Sequence, residues 1–292
     1  MIHQMAPWVP TFIQSTKNTT QPFLPFQLAT IDKKTNTPRC RTVVFRDFLF
    51  KDKRSNVLTF HTDIRSGKME ESFSGDLNSS APVEACFYFP ETMEQYRFSG
   101  ECFIVCEKHL NVPPELSRKY GILSPSVCGH HKQELYEYEA ELDEEKASRE
   151  DGKQEDNGKP QPNEPQPSVD TSADALLEPT DFQPPTIKEW NMEVRRQWYS
   201  NSRSSRSQYR KPEPGKPITS ETSKQLDKIQ RGVDGANENA GLDNFAVVCL
   251  CIQQVDYLNL KGAGGGERAI FSRVTDNHNT SLECWDEEHV CP

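Results

Sequence analysis

The sequence predicts a mainly β protein whose strands form one antiparallel sheet or barrel. Two observations carry that prediction. Runs rich in β-branched and aromatic residues recur at short intervals and are joined by turns, without the regular intervening helices of βαβ units. The apolar periodicity then stops between about 107 and 185, so the sheet is expected from two stretches, 1–106 and 186–292, that flank a long insertion.

Phe26–Asp32 (FQLATID) reads as the first strand and runs into a polar turn, Lys33–Pro38. Arg41–Phe50 (RTVVFRDFLF) is β-branched and aromatic, and Val57–Thr62 (VLTFHT) alternates. A helix is expected from near Ile64–Ser66 through Met69–Phe73, with Asp63 placed to cap it. Glu84–Phe89 (EACFYF) is nearly all apolar and reads as a central strand. In Gln95–Val105 the two-residue period puts Tyr96, Phe98, Gly100, Cys102 and Ile104 on one face.

The insertion, 107–185, opens with a Pro-Ser-Cys-His stretch, continues as an acidic block and ends with Pro160, Pro162, Pro165 and Pro167 in a Gln/Asn/Ser context. Such a segment cannot bury enough apolar area to offset the entropy of ordering it, so disorder is expected. Beyond it, Ile187, Trp190, Val194 and Trp198 recur at helical spacing in Thr186–Asn201, which buries one stripe and leaves Arg195 and Arg196 in water. The Pro- and Gly-bearing stretch 211–241 reads as a long loop. Ala246–Leu260 and Arg268–Val274 pair around Lys261–Glu267, a glycine-rich hairpin loop without the Lys-Ser/Thr of a phosphate loop.

Composition narrows the function classes. Only 34% of the 292 residues are hydrophobic, against nearly half in an ordinary packed domain. No run of about 18 apolar residues is present, and residues 1–25 lack a basic stretch followed by an apolar one. Nine cysteines, an odd number spread over a long chain, read as reduced thiols rather than a disulfide scaffold. These features predict a cytoplasmic protein, compatible also with the nucleus, that makes no use of a membrane. The net charge of −10 is local: residues 134–157 hold 11 Asp/Glu against 3 Lys/Arg, which places −8 of it in that block.

Two segments have the chemistry of an anion site. Arg41 and Arg46 bracket a core strand and, five residues apart, face opposite sides of a regular strand, so that one holds a phosphate while the other points elsewhere. The bland alternative is a pair of surface arginines. In His61-Thr-Asp-Ile-Arg-Ser-Gly-Lys68 a strand ends and a helix begins, which gathers backbone N–H groups with Arg65, Ser66 and Lys68. Its alternative is an ordinary capped helix with solvated charges. Gln95 offers both a donor and an acceptor to the edge of a heterocycle. Cys128-Gly-His-His131 lacks a second Cys/His pair at zinc spacing, so no metal is expected. Cys249 and Cys251 read as two buried thiols. Arg195–Lys216, with 7 Lys/Arg and 1 Glu among many serines, superficially suggests RNA binding, but its first half is the amphipathic helix and nucleic acid is not an expected partner.

Taken together, Gln27-Leu-Ala-Thr, Pro38-Arg-Cys-Arg-Thr-Val-Val-Phe-Arg46, His61 through Lys68 and Glu94-Gln-Tyr-Arg-Phe-Ser-Gly100 resemble, in order and spacing, the FMN-binding split β-barrels of the pyridoxamine 5'-phosphate oxidase-like superfamily. Trp8, Trp198-Tyr-Ser200, Tyr209, Pro214-Gly215 and Val255 through Arg268 fit the same branch. The resemblance covers about 1–106 and 186–292. It implies an antiparallel split barrel with a few flanking helices, a homodimer with FMN at its interface, and flavin-dependent oxidoreduction of a small, unspecified substrate. The phosphate would fall to Arg41, Thr62, Ser66 and Lys68, with His61 beside them. The isoalloxazine would lie along Thr42, Val43 and Val44, with Arg46 near the ring. Gln95 would reach the flavin from the other subunit, and Ser200 and Arg268 would complete the site. The sequence departs from the oxidases proper: Gly67 replaces a basic residue of the turn, and the Tyr, Arg and Ser cluster for a substrate phosphate has no counterpart. A flavin-binding protein without turnover, recruited through the acidic insertion, is therefore the alternative.

Overall fold

The computed structural model describes residues 4–128, 182–232, 235–261, 265–275 and 283–292. Helix α1 (Trp8–Thr16) is followed by strands β1 (Leu24–Asp32), β2 (Thr37–Phe48) and β3 (Val57–Asp63), helix α2 (Gly67–Phe73), and strands β4 (Ala81–Phe89) and β5 (Glu94–Val105). Then come α3 (Pro114–Lys119), α4 (Ile187–Tyr199), α5 (Arg203–Ser207), α6 (Ser220–Gln230), and the strands β6 (Phe245–Asn259), β7 (Glu267–Thr275) and β8 (Glu283–Val290). All pairings are antiparallel in the order β3-β2-β1-β4-β5-β6-β7-β8, and β3 also pairs with β6. Six strands thus close into a barrel, with β7 and β8 continuing from β6 as a ribbon.

Alternation of side chains divides the molecule into two cores. Phe26, Leu28, Phe60, Ala85, Phe87, Tyr96, Phe98 and Val255 point into the barrel. Trp8 and Phe12 of α1 plug it, Phe12 lying 5.1 Å from both Phe87 and Phe98, edge to face. On the outer face Val57, Phe103, Val105, Val247, Cys249 and Cys251 meet Trp190, Val194 and Trp198 of α4. β6 serves both cores because a bulge interrupts it: Gly100 pairs with Ile252 and Ser99 with Gln254, so Gln253 is the extra residue and both Ile252 and Val255 stay inside. Gly100 is required there, since a Cβ would collide with the Cys251 carbonyl oxygen.

The expected strands are present, but the second ends at Phe48, and Leu49 and Phe50, expected in it, form a 3-10 turn with Lys51. Several other expectations change. Asp63 does not cap α2; its carboxylate accepts from the Arg65 backbone N–H at 2.8 Å, and α2 begins at Gly67 after Ser66. In α4 the cap is Thr186, in a reciprocal capping box with Glu189. Ile187 lies at the helix end, past the core, and is 57% exposed. Arg195 and Arg196 are not left to water: Arg195 pairs with Glu107 at 2.7 Å, and Arg196 with Glu193 at 2.8 Å and Asp47 at 3.3 Å. The stretch expected as a loop, 211–241, contains α6, capped by Thr219. The opening of the expected insertion is also ordered. Val112, Tyr120, Ile122 and Leu123 are buried, and the Tyr120 hydroxyl donates to Glu101. Glu189 binds this segment to α4, accepting from the Ser124 and Ser126 hydroxyls at 2.5 and 2.6 Å. The acidic block, Gly129–His131 and Gly262–Gly264 lie outside the described residues. Cys249 and Cys251 are buried thiols, and no described group of three metal-ligating side chains converges. No described helix is long and apolar enough to cross a membrane.

Candidate functional site

A cleft of about 660 Å³ opens between the outside of β2, the end of β3, the turn into α2, and the chain from Gln208 through α6. Its volume falls within the roughly 300–1,000 Å³ of small-molecule sites. The barrel wall contributes Arg41, Thr42, Val43, Val44, Arg46, His61, Thr62, Ser66 and Lys68. Both arginines of β2 therefore reach one cleft, against the expectation that alternation would send them apart. Thr42, Val44 and Arg46 share the outer face by alternation, whereas Arg41, in register with inward Leu28, reaches the cleft from the other face, where Thr30 and Glu71 hold it.

One end of the cleft is built for an anion. The Lys68 ammonium donates to the Thr62 hydroxyl at 2.7 Å and the Ser66 hydroxyl at 2.8 Å. No carboxylate pairs with it among the described residues. Burial, and then the positive charge of Arg41, push the Lys68 pKa down from the ordinary lysine value. Arg41 sits at the same end, anchored by Thr30 at 2.5 Å and by Glu71 at 2.7 Å. Arg41 is balanced by Glu71, whereas Lys68, held by two hydroxyls oriented between strand and helix, has no carboxylate partner among the described residues. A phosphate ester fits that donor set, because it accepts from ammonium, guanidinium and hydroxyls together.

Arg46, on the same wall of the cleft, has no hydrogen bond or ion pair with a described residue and is exposed. His61 faces α4. Its Nε2 lies 2.7 Å from Gln197 Oε1, and Nδ1 lies 3.2 Å from Asn201 Oδ1. Gln197 uses its amide nitrogen on Glu193 and Asn201 uses its own on the Gln197 carbonyl, so both present oxygens to His61, and the neutral ring donates from Nε2, the shorter contact. Burial, and then the Arg46 charge, push the His61 pKa down to about 3, so the ring is neutral at physiological pH.

The opposite wall was not visible in the sequence. Gln208, Tyr209, Lys211 and the 212–218 chain cross over the cleft, and Thr222 and Leu226 of α6 close it. Arg65 holds this wall in place rather than lining the cleft: paired with Asp63 at 2.7 Å, it donates to the carbonyls of Tyr209 and Lys211 at 3.3 and 3.0 Å. Asn244 adds a bond to the Tyr209 carbonyl at 2.9 Å. Three expected site residues are elsewhere in this chain. The Ser200 hydroxyl donates to the Gln197 carbonyl at the end of α4. Gln95 of β5 and Arg268 of β7 lie in one row across the sheet, joined by Leu258 of β6, and Arg268 pairs with Asp256 at 2.8 Å. None of the three lines the cleft among the described residues.

Comparison with known proteins agrees with this architecture. Residues 5–106 match the family model described as pyridoxamine 5'-phosphate oxidase, FMN-binding domain. An uncharacterized protein of Saccharomyces cerevisiae, YGR017W, is 51% identical over 302 residues, covering all of both chains. A pyridoxine/pyridoxamine 5'-phosphate oxidase 2 of Arabidopsis thaliana is 26% identical over 91% of this chain and 86% of its own. Among solved structures, a pyridoxamine 5'-phosphate oxidase-related, FMN-binding protein of Nostoc punctiforme superposes with a TM-score of 0.55 at 21% identity, covering 99% of this chain and 98% of that one. PhzG of Burkholderia lata, solved with tetrahydrophenazine-1-carboxylic acid, gives 0.50 at 12% identity over 100% and 99% of the two chains.

Proposed function

The chain belongs to the pyridoxamine 5'-phosphate oxidase-like FMN-binding family, and on that premise we propose that it is an FMN-dependent oxidoreductase acting as a homodimer on a small substrate. The observation that carries the cofactor assignment is the Lys68 ammonium, held by two hydroxyls beside Arg41 without a carboxylate of its own. Arg41, Thr62, Ser66 and Lys68 take the phosphate of FMN. Thr42, Val43 and Val44 flank its ring with strand backbone, and Gln208 and Tyr209 cover it from the other wall. When bound, FMN supplies two-electron transfer chemistry. The protein's contribution is position and polarity. Arg46 favours negative charge at the ring end of the cleft, as a pre-placed cation does where charge develops. His61 holds its proton on Nε2, bound to Gln197, and so acts as a fixed neutral wall rather than an acid. Gln95 and Arg268 belong to the site of the second subunit.

The test is the visible absorption spectrum of the purified full chain after incubation with FMN, followed by anaerobic addition of candidate amines or NAD(P)H. A bound flavin that bleaches on addition of a reductant supports the reading. A bound flavin that no small reductant bleaches would leave a flavin-binding protein without turnover. A protein that stays colourless would remove the cofactor assignment.

A further inference from the structure

Beside the cofactor cleft lies a second one, of about 750 Å³, walled by α5, residues 208–211, the far side of α6 and residues 236–238. It is lined by Arg203, Arg206, Arg210, Lys211 and Arg231, with Glu238 as the single carboxylate among the described lining residues. Arg206 and Lys211 have no ion pair with a described residue. Arg203 reaches Glu238 only at 3.8 Å and is 87% exposed, and the 2.6 Å pair of Arg231 with Asp227 is open to solvent on both sides. Arg206 lies over the rings of Trp198 and Tyr199, at 5.9 and 5.7 Å, which fixes its guanidinium without cancelling its charge. Arginines on an ordinary solvated surface spread away from one another. Here five cations converge on one concavity, and concave walls of one sign concentrate the field that attracts a counter-ion.

We propose that this cleft binds a small molecule carrying two or more phosphates, at a site separate from the phosphate cradle of Arg41 and Lys68. Guanidinium forks match phosphate oxygens in pairs, and several of them suit a ligand of several negative charges. The shape selects a small ligand over a nucleic acid strand, because α6 and residues 236–238 bound the cleft on facing sides and its volume is that of a single small-molecule site. The Arg/Ser-rich stretch of the sequence is thereby a wall of a small-molecule site. Gln208, Lys211 and Leu226 line both clefts, so the ligand lies against the wall of the cofactor cleft. The proposal rests on these cations alone and holds whether or not FMN occupies its neighbour.

Calorimetric titration of the full chain with inorganic pyrophosphate tests it, using the unaltered protein, the double variant Arg206→Glu/Arg231→Glu and the single variant Lys68→Met. The expected result is that the double variant binds at least about tenfold more weakly while Lys68→Met binds within about twofold of the unaltered protein. The milder Arg206→Gln/Arg231→Gln, with an unchanged far-ultraviolet circular dichroism spectrum, should fall between them. If pyrophosphate fails to bind, or if Lys68→Met loses it while the double variant retains it, the second site does not exist as proposed. A single-stranded RNA 12-mer that binds through Arg206 and Arg231 and displaces pyrophosphate would also overturn it, in favour of a nucleic acid surface.

Discussion

Lys68 shows how one side chain can encode a missing ligand. Its ammonium is half removed from water, repelled by Arg41, and given only neutral oxygens as acceptors. A phosphate would reverse the unfavourable balance, and charge-assisted bonds of this type contribute about 1.5–3 kcal/mol each. Lys68→Met should therefore weaken FMN binding by roughly ten- to a hundredfold in a flavin-fluorescence titration, with little loss of stability. Affinity in the unaltered protein should fall as pH rises through the lowered Lys68 pKa, that is, below the ordinary value of 10.5. An affinity that is flat up to that pH, or unaffected by the substitution, would place the phosphate elsewhere. His61 makes a prediction of the opposite kind. Its folded pKa, about 3, lies below the unfolded value near 6.5, so between these the unfolded chain binds a proton that the folded one does not. The stability due to the neutral ring is thus complete above 6.5 and is lost as pH falls, at about 1.4 kcal/mol per pH unit. His61→Gln should remove that slope from urea unfolding curves between pH 6 and 5, while an unchanged slope would mean that the ring protonates in the folded state.

At the level of elements, the barrel depends on a register correction. Without the extra residue at Gln253, the alternation that buries Val248, Leu250 and Ile252 would turn Val255 and Tyr257 outward. Gly100 makes room for the Cys251 carbonyl at that bulge. Gly100→Ala should cost about 3 kcal/mol in urea unfolding, because the obstacle is backbone and cannot rotate away. A cost below about 1 kcal/mol would show that the two strands can separate locally. The strands were legible in the sequence because a half-buried strand must alternate, and the five inward positions from Tyr96 to Ile104 do so. Helix α6 was not legible, since only Ile229 is buried along it and its flanking prolines and glycines read as a loop. The packed segment 110–123 was missed for a related reason: Val112, Tyr120, Ile122 and Leu123 bury without any period. The cradle of Thr62, Ser66 and Lys68 could be read because strand end, hydroxyls and cation are consecutive in the chain. Its facing wall could not, because Gln208, Tyr209 and Lys211 arrive about 140 residues later and are placed by Arg65 hydrogen bonds to backbone carbonyls, to which any side chains could belong.

For the whole molecule, the position of Gln95 and Arg268 decides how a complete site is assembled. In-register residues of neighbouring strands share a face, and the row Thr42, Gln27, Cys86, Arg97, Asp256 runs from the cofactor cleft around the outside of the barrel to β6. Gln95 and Arg268 occupy that outer face beside Leu258 of β6, 11 residues along that strand from Val247, the partner of His61 at the cleft. They cannot bend back over their own cleft, but a second copy of the chain could present them to it. This gives the proposed homodimer a test that monomer chemistry cannot imitate. Gln95→Ala and Lys68→Met should each weaken FMN binding when every subunit carries the substitution. Mixed dimers of the two variants contain one doubly damaged site and one site in which both residues are unaltered. Half of the sites in the mixed dimers should then recover the affinity of the unaltered protein, measured by flavin titration after isolating the mixed species through two different affinity tags. If Gln95 acted within its own subunit, every site in the mixed dimer would carry one substitution and none would recover, so the measurement separates a shared site from a private one.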